Sequence, residues 1–117
     1  MKAAVVILAG TESHGDLARL INGLEAAKEF AVTDGDELSL IFDGAGTTWI
    51  PELEDDDSEY RDLYESVRAH AVVCHHCAGA FGVQDAVSSA GLVTLDEHDG
   101  HPSFRSLVAE GYDVLTF

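Results

Sequence analysis

Two cysteines separated by two histidines form the segment of this sequence with the most evident chemistry. Cys74 and Cys77 stand three positions apart, with His75 and His76 between them. Thiolates are nucleophiles and metal ligands, and imidazole moves protons or binds metal near neutral pH. These residue types therefore support either reaction at sulfur or coordination of a metal such as zinc.

A short strand followed by a helix is predicted to hold this segment. Residues 71–74 read Ala-Val-Val-Cys, which is typical of a buried strand, and residues 78–90 have apolar side chains at helical spacing. Cys74 then lies at the carboxyl end of the strand, facing the N–H groups at the start of the helix. Because the positive end of a helix dipole favours an anion, we expect a lowered thiol pKa at Cys74 and reaction there before Cys77.

Several residues after Cys74 stand at distinctive positions relative to it and to the last predicted strand. Gly82 and Val83 come eight and nine positions later, and Gly111-Tyr112 introduces the last predicted strand. In this pattern the chain resembles the DsrE/DsrF-like family, small α/β proteins of sulfur relay and sulfur oxidation. The resemblance implies that Cys74 accepts sulfane sulfur as a persulfide from a donor protein and passes it to an acceptor protein. It also implies a homo-oligomer, either a trimer or a hexamer.

Two features depart from the family pattern, and they leave open whether the protein is an enzyme. His75-His76-Cys77 is not a general feature of the family, and the chain is unusually acidic. We interpret Cys77 as a resolving thiol that would form a disulfide with Cys74 and release the stored sulfur as sulfide.

An alternation of apolar runs and amphipathic segments predicts the scaffold that positions these residues. We expect strands at residues 3–9, 38–42, 71–74, 92–95 and 112–117, with four helices between them. Such alternation is typical of a parallel sheet. We therefore predict one α/β domain over residues 1–117, with a five-stranded, mostly parallel sheet and helices on both faces, flavodoxin-like and similar to DsrE.

A flavodoxin-like strand order of 2-1-3-4-5 would bring three loops together at the point where the chain reverses direction. These loops are residues 10–14, 74–79 and 96–101. His14 would then face Cys74 as a base or hydrogen-bond donor.

Three other segments have local predictions. The segment around Trp49 is expected to be a loop, and the acidic run at residues 54–57 is expected to begin a helix, where negative charge is favoured. A helix after Pro102 is expected to turn Phe104, Leu107 and Val108 toward the core.

A metal-binding or interaction domain that is not an enzyme is the alternative function. Cys74 and Cys77 offer thiolate ligands, and a structural zinc ion takes four ligands. No second Cys-x-x-Cys pair exists, so the remaining ligands would come from the histidines nearby, which are His75, His76, His98 and His101. The carrier interpretation needs no cofactor, whereas this alternative needs zinc.

The acidic composition restricts the partners. Asp and Glu number 22 against six Lys and Arg, which gives a net charge of −16. Such a surface repels nucleic acid and anionic membranes, and no apolar run reaches the roughly 18 residues of a transmembrane helix. Two cysteines this close in sequence do not indicate a disulfide framework. We therefore expect a cytoplasmic protein with protein partners, from a halophile and within the family a haloarchaeal member.

The acid excess predicts that salt stabilises the fold. Repulsion among carboxylates is screened at molar salt, where the Debye length is about 3 Å. The melting temperature should therefore rise as KCl is raised from low to molar concentration in a thermal melt. A melting temperature that stays flat or falls would contradict the halophile interpretation.

Overall fold

Five parallel strands form a single sheet in the computed structural model, which describes residues 1–117. The strands are β1 (Lys2–Ile7), β2 (Glu37–Phe42), β3 (Ala71–Cys74), β4 (Val93–Leu95) and β5 (Asp113–Thr116). Each lies within two residues of its predicted ends, because every one is an apolar or β-branched run between polar turns. The predicted fold class, a parallel α/β sheet with helices on both faces, is confirmed.

The strand order is β4-β3-β2-β1-β5, so the predicted order of 2-1-3-4-5 is wrong. Alternation predicts how many strands there are but does not say which of them are neighbours. The end of β2 is fully buried at Leu40, Ile41 and Phe42, as expected of a strand with a neighbour on each side. The chain therefore runs outward from β1 to β4 and returns to place β5 on the other side of β1.

Six helices and two 3₁₀ turns connect the strands. The helices are α1 (His14–Ala31), α2 (Trp49–Leu53), α3 (Arg61–Glu65), α4 (His75–Ala80), α5 (Gln84–Ser89) and α6 (Phe104–Ala109), and the 3₁₀ turns are Gly44–Thr48 and Arg68–His70. The Ser13 hydroxyl caps α1 by accepting a hydrogen bond from the Asp16 N–H at 3.1 Å.

The segment after β2 is helical, so the predicted loop around Trp49 is wrong. Trp49, Ile50 and Leu53 bury their side chains from one turn of α2, and this burial explains why the segment is ordered as a helix. The acidic run at residues 54–57 consequently follows the end of α2 and does not begin a helix. Glu54 instead accepts three hydrogen bonds from the Arg68 guanidinium, at 2.8, 2.9 and 3.2 Å, and these bonds lower the pKa of its carboxyl.

The predicted helix over residues 78–90 is two shorter helices, α4 and α5. Helix α4 begins at His75, directly after β3, and Gly82 adopts a φ of +70° between the two helices. Glycine tolerates this left-handed conformation, which ends one helix and redirects the chain into the next.

The two faces of the sheet bury different amounts of apolar surface. Alternate strand residues such as Val5, Leu40 and Val73 form the large core, against which α1 to α5 pack. The opposite face has a core of three buried residues, Ala4, Val6 and Ile41, with Leu107 of α6 packed against it. Of the three side chains predicted to face the core, Leu107 does so, whereas Phe104 and Val108 are exposed.

Gly46 holds the loop after β2 against β1. A Cβ atom at this position would lie 1.9 Å from the carbonyl oxygen of Ile7, too close for any side chain. The 3₁₀ turn can therefore cross the end of β1 only with glycine at this position.

Gly46→Ala should lower the free energy of unfolding by about 3 kcal/mol, since backbone atoms must shift to relieve the clash. Chemical denaturation of purified protein would measure the change. Gly79→Ala is the matched control, because its Cβ would meet nothing closer than Gln84 Nε2 at 3.9 Å. Equal stability of the two variants would contradict the close approach at Gly46.

Candidate functional site

Four side chains with metal-binding or nucleophilic atoms meet at the carboxyl ends of β2, β3 and β4. They are Asp43, Cys74, Cys77 and His101, and their ligand atoms all lie within 4.8 Å of one another. We refer to these four residues as the sulfur cluster. None of the five surface depressions of the protein is lined by any of them.

Cys74 is the centre of the sulfur cluster. It ends β3 and has no exposed surface. Its Sγ lies 3.4 Å from His101 Nδ1, and the backbone N–H of Cys77 donates a hydrogen bond to it at 3.4 Å. The thiol therefore lies next to a ring nitrogen that can accept its proton and next to an N–H group that can stabilise its thiolate.

Burial raises the pKa of Cys74 to about 12, so the predicted lowering of this pKa is wrong. The N–H of Cys77 does act in the expected direction, because it stabilises the thiolate. The apolar surroundings have the larger effect, with further raising from the Cys77 thiol and the negative charge of Asp43. Cys74 is thus a neutral thiol at physiological pH until a base accepts its proton or a coordinating metal ion displaces it.

Cys77 lies one helical turn further on, within α4, and is partly exposed. Neither cysteine is in a disulfide. A thiol reagent therefore meets Cys77 more readily than Cys74, and this exposure does not favour the expected order of reaction.

Asp43 joins the sulfur cluster from the end of β2, and the sequence analysis missed it. The residue is 9% exposed, and its Oδ1 accepts a hydrogen bond from the Gly44 N–H at 2.8 Å. In sequence it looks like an ordinary turn residue, 31 positions before Cys74. Only the pairing of β2 with β3 brings the two together.

His101 is held by a tight turn over residues 98–101. Backbone hydrogen bonds join His98 and His101 in both directions, at 2.9 and 2.8 Å. Asp99 and Gly100 between them have φ values of +49° and +85°. The Gly100 carbonyl accepts a hydrogen bond from the His76 N–H at 2.8 Å, and the His76 ring packs on His101 with centroids 4.6 Å apart. These contacts attach the turn to α4.

The structure leaves four predicted histidines outside the sulfur cluster: His14, His75, His76 and His98. His14 is exposed at the start of α1, beside Trp49, and makes no hydrogen bond to either cysteine. Because β2 separates β1 from β3, the loop after β1 is not the neighbour of Cys74 that the predicted strand order required.

Comparison with known proteins identifies the family. The sequence model of the DsrE/DsrF-like family matches residues 1–117, which is the whole chain. The chain belongs to the DsrE/DsrF-like family. This membership confirms the resemblance that the spacing from Cys74 to Gly82 and Val83 indicated.

Relatives of this DsrE/DsrF-like chain are themselves described without a function. An uncharacterized protein of Methanocaldococcus jannaschii is 30% identical over 81 residues, which are 69% of this chain and 66% of that protein. The chain thus matches slightly less than two thirds of that relative's length. A conserved protein of unknown function from Bacteroides thetaiotaomicron superposes with a TM-score of 0.65 at 12% identity, over 99% of this chain and 94% of the other. At that identity the likeness supports the fold alone.

None of the helices in this DsrE/DsrF-like domain has the length and apolar character needed to cross a membrane.

The raised pKa of Cys74 predicts slow alkylation near neutral pH. In a Cys77→Ser variant, iodoacetamide at pH 8 should modify Cys74 more than about 100-fold more slowly in the folded than in the urea-unfolded protein, whose thiol pKa is about 8.5. The rate should rise about tenfold per pH unit up to pH 10, because the thiolate fraction still grows far below the pKa. A rate that levels off near pH 9, with circular dichroism unchanged, would contradict the raised pKa.

Proposed function

We propose that this protein is a sulfur carrier that accepts sulfane sulfur as a persulfide on Cys74 and passes it to a partner protein. The observation that supports the proposal most is the set of contacts at Cys74 Sγ. A ring nitrogen of His101 and the Cys77 N–H both lie 3.4 Å from it, in a family whose sulfur-carrying members hold a cysteine at this strand end. Membership of the family itself suggests a sulfur-relay role.

The proposed loading step is a transfer between thiols. The Cys74 sulfur attacks the outer sulfur of a donor persulfide, R–S–SH, and His101 Nδ1 accepts the Cys74 proton. A new S–S bond forms on Cys74 while the donor S–S bond breaks, and the donor thiolate takes the proton to leave as R–SH. Cys74–SH and R–SSH thus become Cys74–SSH and R–SH with no net oxidation. In this proposal His101, and not His14, has the role of base.

The surroundings of Cys74 serve this chemistry in two ways. A protonated thiol is a weak nucleophile, so the raised pKa of about 12 keeps Cys74 unreactive toward small oxidants. Once Cys74 is loaded, the Cys77 N–H that donates to its Sγ stabilises the persulfide anion in this proposal.

Cys77 is placed to act on the loaded sulfur, since its Sγ is within 4.8 Å of Cys74 Sγ. In the proposed resolving step, the Cys77 thiol attacks the inner sulfur of the Cys74 persulfide. The products are a Cys74–Cys77 disulfide and H₂S, so the two cysteines are oxidised and the carried sulfur is reduced. Partial exposure of Cys77 also makes it the first thiol that a docking donor meets.

The proposed partners are sulfur donor and acceptor proteins in the cytoplasm, and the proposed assembly is a homo-oligomer, either a trimer or a hexamer. An assembly would cover some of the exposed apolar side chains, such as Val93 at the edge of the sheet, which is 62% exposed, and Val108 on α6, which is 64% exposed. A net charge of −16 favours partners with basic docking surfaces.

Polysulfide treatment followed by intact-mass spectrometry tests the carrier function. Wild type and Cys77→Ser should gain the mass of added sulfur, whereas Cys74→Ser should gain none, because the acceptor thiol is missing. His101→Asn should load at least about tenfold more slowly, since general-base assistance is worth about 10²–10⁴-fold.

His75→Asn is the matched control, because His75 is exposed and lies outside the sulfur cluster. It should load like wild type. Equal loading of Cys74→Ser and wild type would disprove the carrier role of Cys74, and loss in Cys77→Ser alone would assign the persulfide to Cys77.

A further inference from the structure

We propose that Asp43, Cys74, Cys77 and His101 form a mononuclear site for a divalent cation of the zinc class. The four side chains converge from three neighbouring strand ends with their ligand atoms within 4.8 Å of one another. This site goes beyond the sulfur-carrier function. Its ligand set also differs from the histidine-rich set that the sequence suggested, because Asp43 replaces His75, His76 and His98.

The spacing of the ligand atoms fits a tetrahedral ion. With Zn–S bonds of about 2.3 Å and Zn–N bonds of about 2.0 Å, the ligand atoms of a tetrahedral site lie about 3.3–3.8 Å apart. Cys74 Sγ and His101 Nδ1 are already 3.4 Å apart. The remaining separations, up to 4.8 Å, need side-chain movements of about 1 Å, which rotation about χ angles supplies.

Asp43 supplies an independent reason to expect a cation. The residue is 9% exposed, and none of the six ion pairs in the structure involves it. Buried carboxylates are normally paired with a cation or coordinate a metal, because an isolated charge is poorly solvated. The Gly44 N–H binds Oδ1, whereas Oδ2 makes no hydrogen bond and keeps contact with solvent, so it is open to a ligand.

The donor set selects among metals. Two thiolates and one imidazole favour borderline and soft cations, whereas Mg²⁺ and Ca²⁺ prefer sites made wholly of oxygen. One carboxylate and two thiolates carry three negative charges, so a divalent ion leaves the site at −1. The N–H of Cys77 on Cys74 Sγ and the N–H of Gly44 on Asp43 would orient two of the ligands.

Binding releases protons in this proposal. Each cysteine loses its thiol proton to the solvent as its sulfur coordinates the ion, while Asp43 binds as a carboxylate and His101 as neutral imidazole. The step is an exchange of Zn²⁺ for about two protons, with no change of oxidation state.

The proposed ion would also block sulfur loading, a consequence that rests on the proposed carrier function. Zinc and sulfane sulfur need the same lone pairs of Cys74 Sγ. A zinc-loaded protein should therefore take up no sulfur from polysulfide until a chelator removes the ion.

The experiment titrates Zn²⁺ and Co²⁺ into the reduced full chain by calorimetry and absorption spectroscopy. We expect one ion per chain, about two protons released, and a tetrahedral Co²⁺ spectrum with thiolate charge-transfer bands. Asp43→Asn should weaken zinc affinity at least tenfold, since even residues behind the ligands contribute about 10–100-fold. The amide keeps the hydrogen bond to Gly44, so this variant should fold, as circular dichroism would verify.

His75→Asn and His98→Asn are the controls, because both histidines are exposed and lie outside the proposed ligand set. Both should bind zinc as wild type does. The site is disproved if the wild type binds no stoichiometric ion, if folded Asp43→Asn binds as tightly as wild type, or if either control loses binding. A wild type that binds zinc but takes up no sulfur from polysulfide in its zinc-free form would overturn the carrier function and leave the metal site standing.

Discussion

The register between β2 and β3 is the constraint on which the candidate site depends. Phe42 pairs with Val73 in the parallel register. The residues that follow them, Asp43 and Cys74, therefore lie side by side. Cys74 in turn lies level with Leu95 of β4, which brings the turn at residues 98–101 to the same edge. A shift of one residue would turn these side chains to the opposite face. The fully buried ends of β2 and β3 make such a shift costly, since both contribute to the large core.

Sequence reasoning predicted the elements of this fold well, because their patterns are local. Ala71–Cys74 has the same bounds in the prediction and in the structure, since a β-branched run followed by a polar segment defines a strand. The order of strands is a property of the whole chain, and the apolar pattern does not contain it. The wrong strand order also explains the wrong prediction of which residues surround Cys74. Placing β1 beside β3 brought His14 toward Cys74, whereas the observed order brings Asp43 there. The sequence analysis named Cys74, Cys77 and His101, and it missed Asp43.

Two opposing effects of different size act on the pKa of Cys74: burial raises it and the Cys77 N–H lowers it. The start of α4 does supply an N–H to the sulfur, but α4 has six residues and only one of its N–H groups makes this contact. Complete burial acts on the whole thiolate and exceeds that single hydrogen bond. A helix start next to a cysteine therefore indicates an activated thiol only when the sulfur is also accessible to water. Here the thiol is covered, and its reactivity depends on a nearby base or cation.

The turn at residues 98–101 both covers the sulfur and carries its imidazole. Only a few backbone hydrogen bonds hold it, two within the turn and one from His76 to Gly100. Segments held this sparsely open locally far more often than the core unfolds. An outward swing of the turn would uncover Cys74 and remove His101 in the same movement. A freely diffusing oxidant that entered during such an opening would meet an unassisted thiol, because chain connectivity makes access to the sulfur and loss of the imidazole one and the same movement.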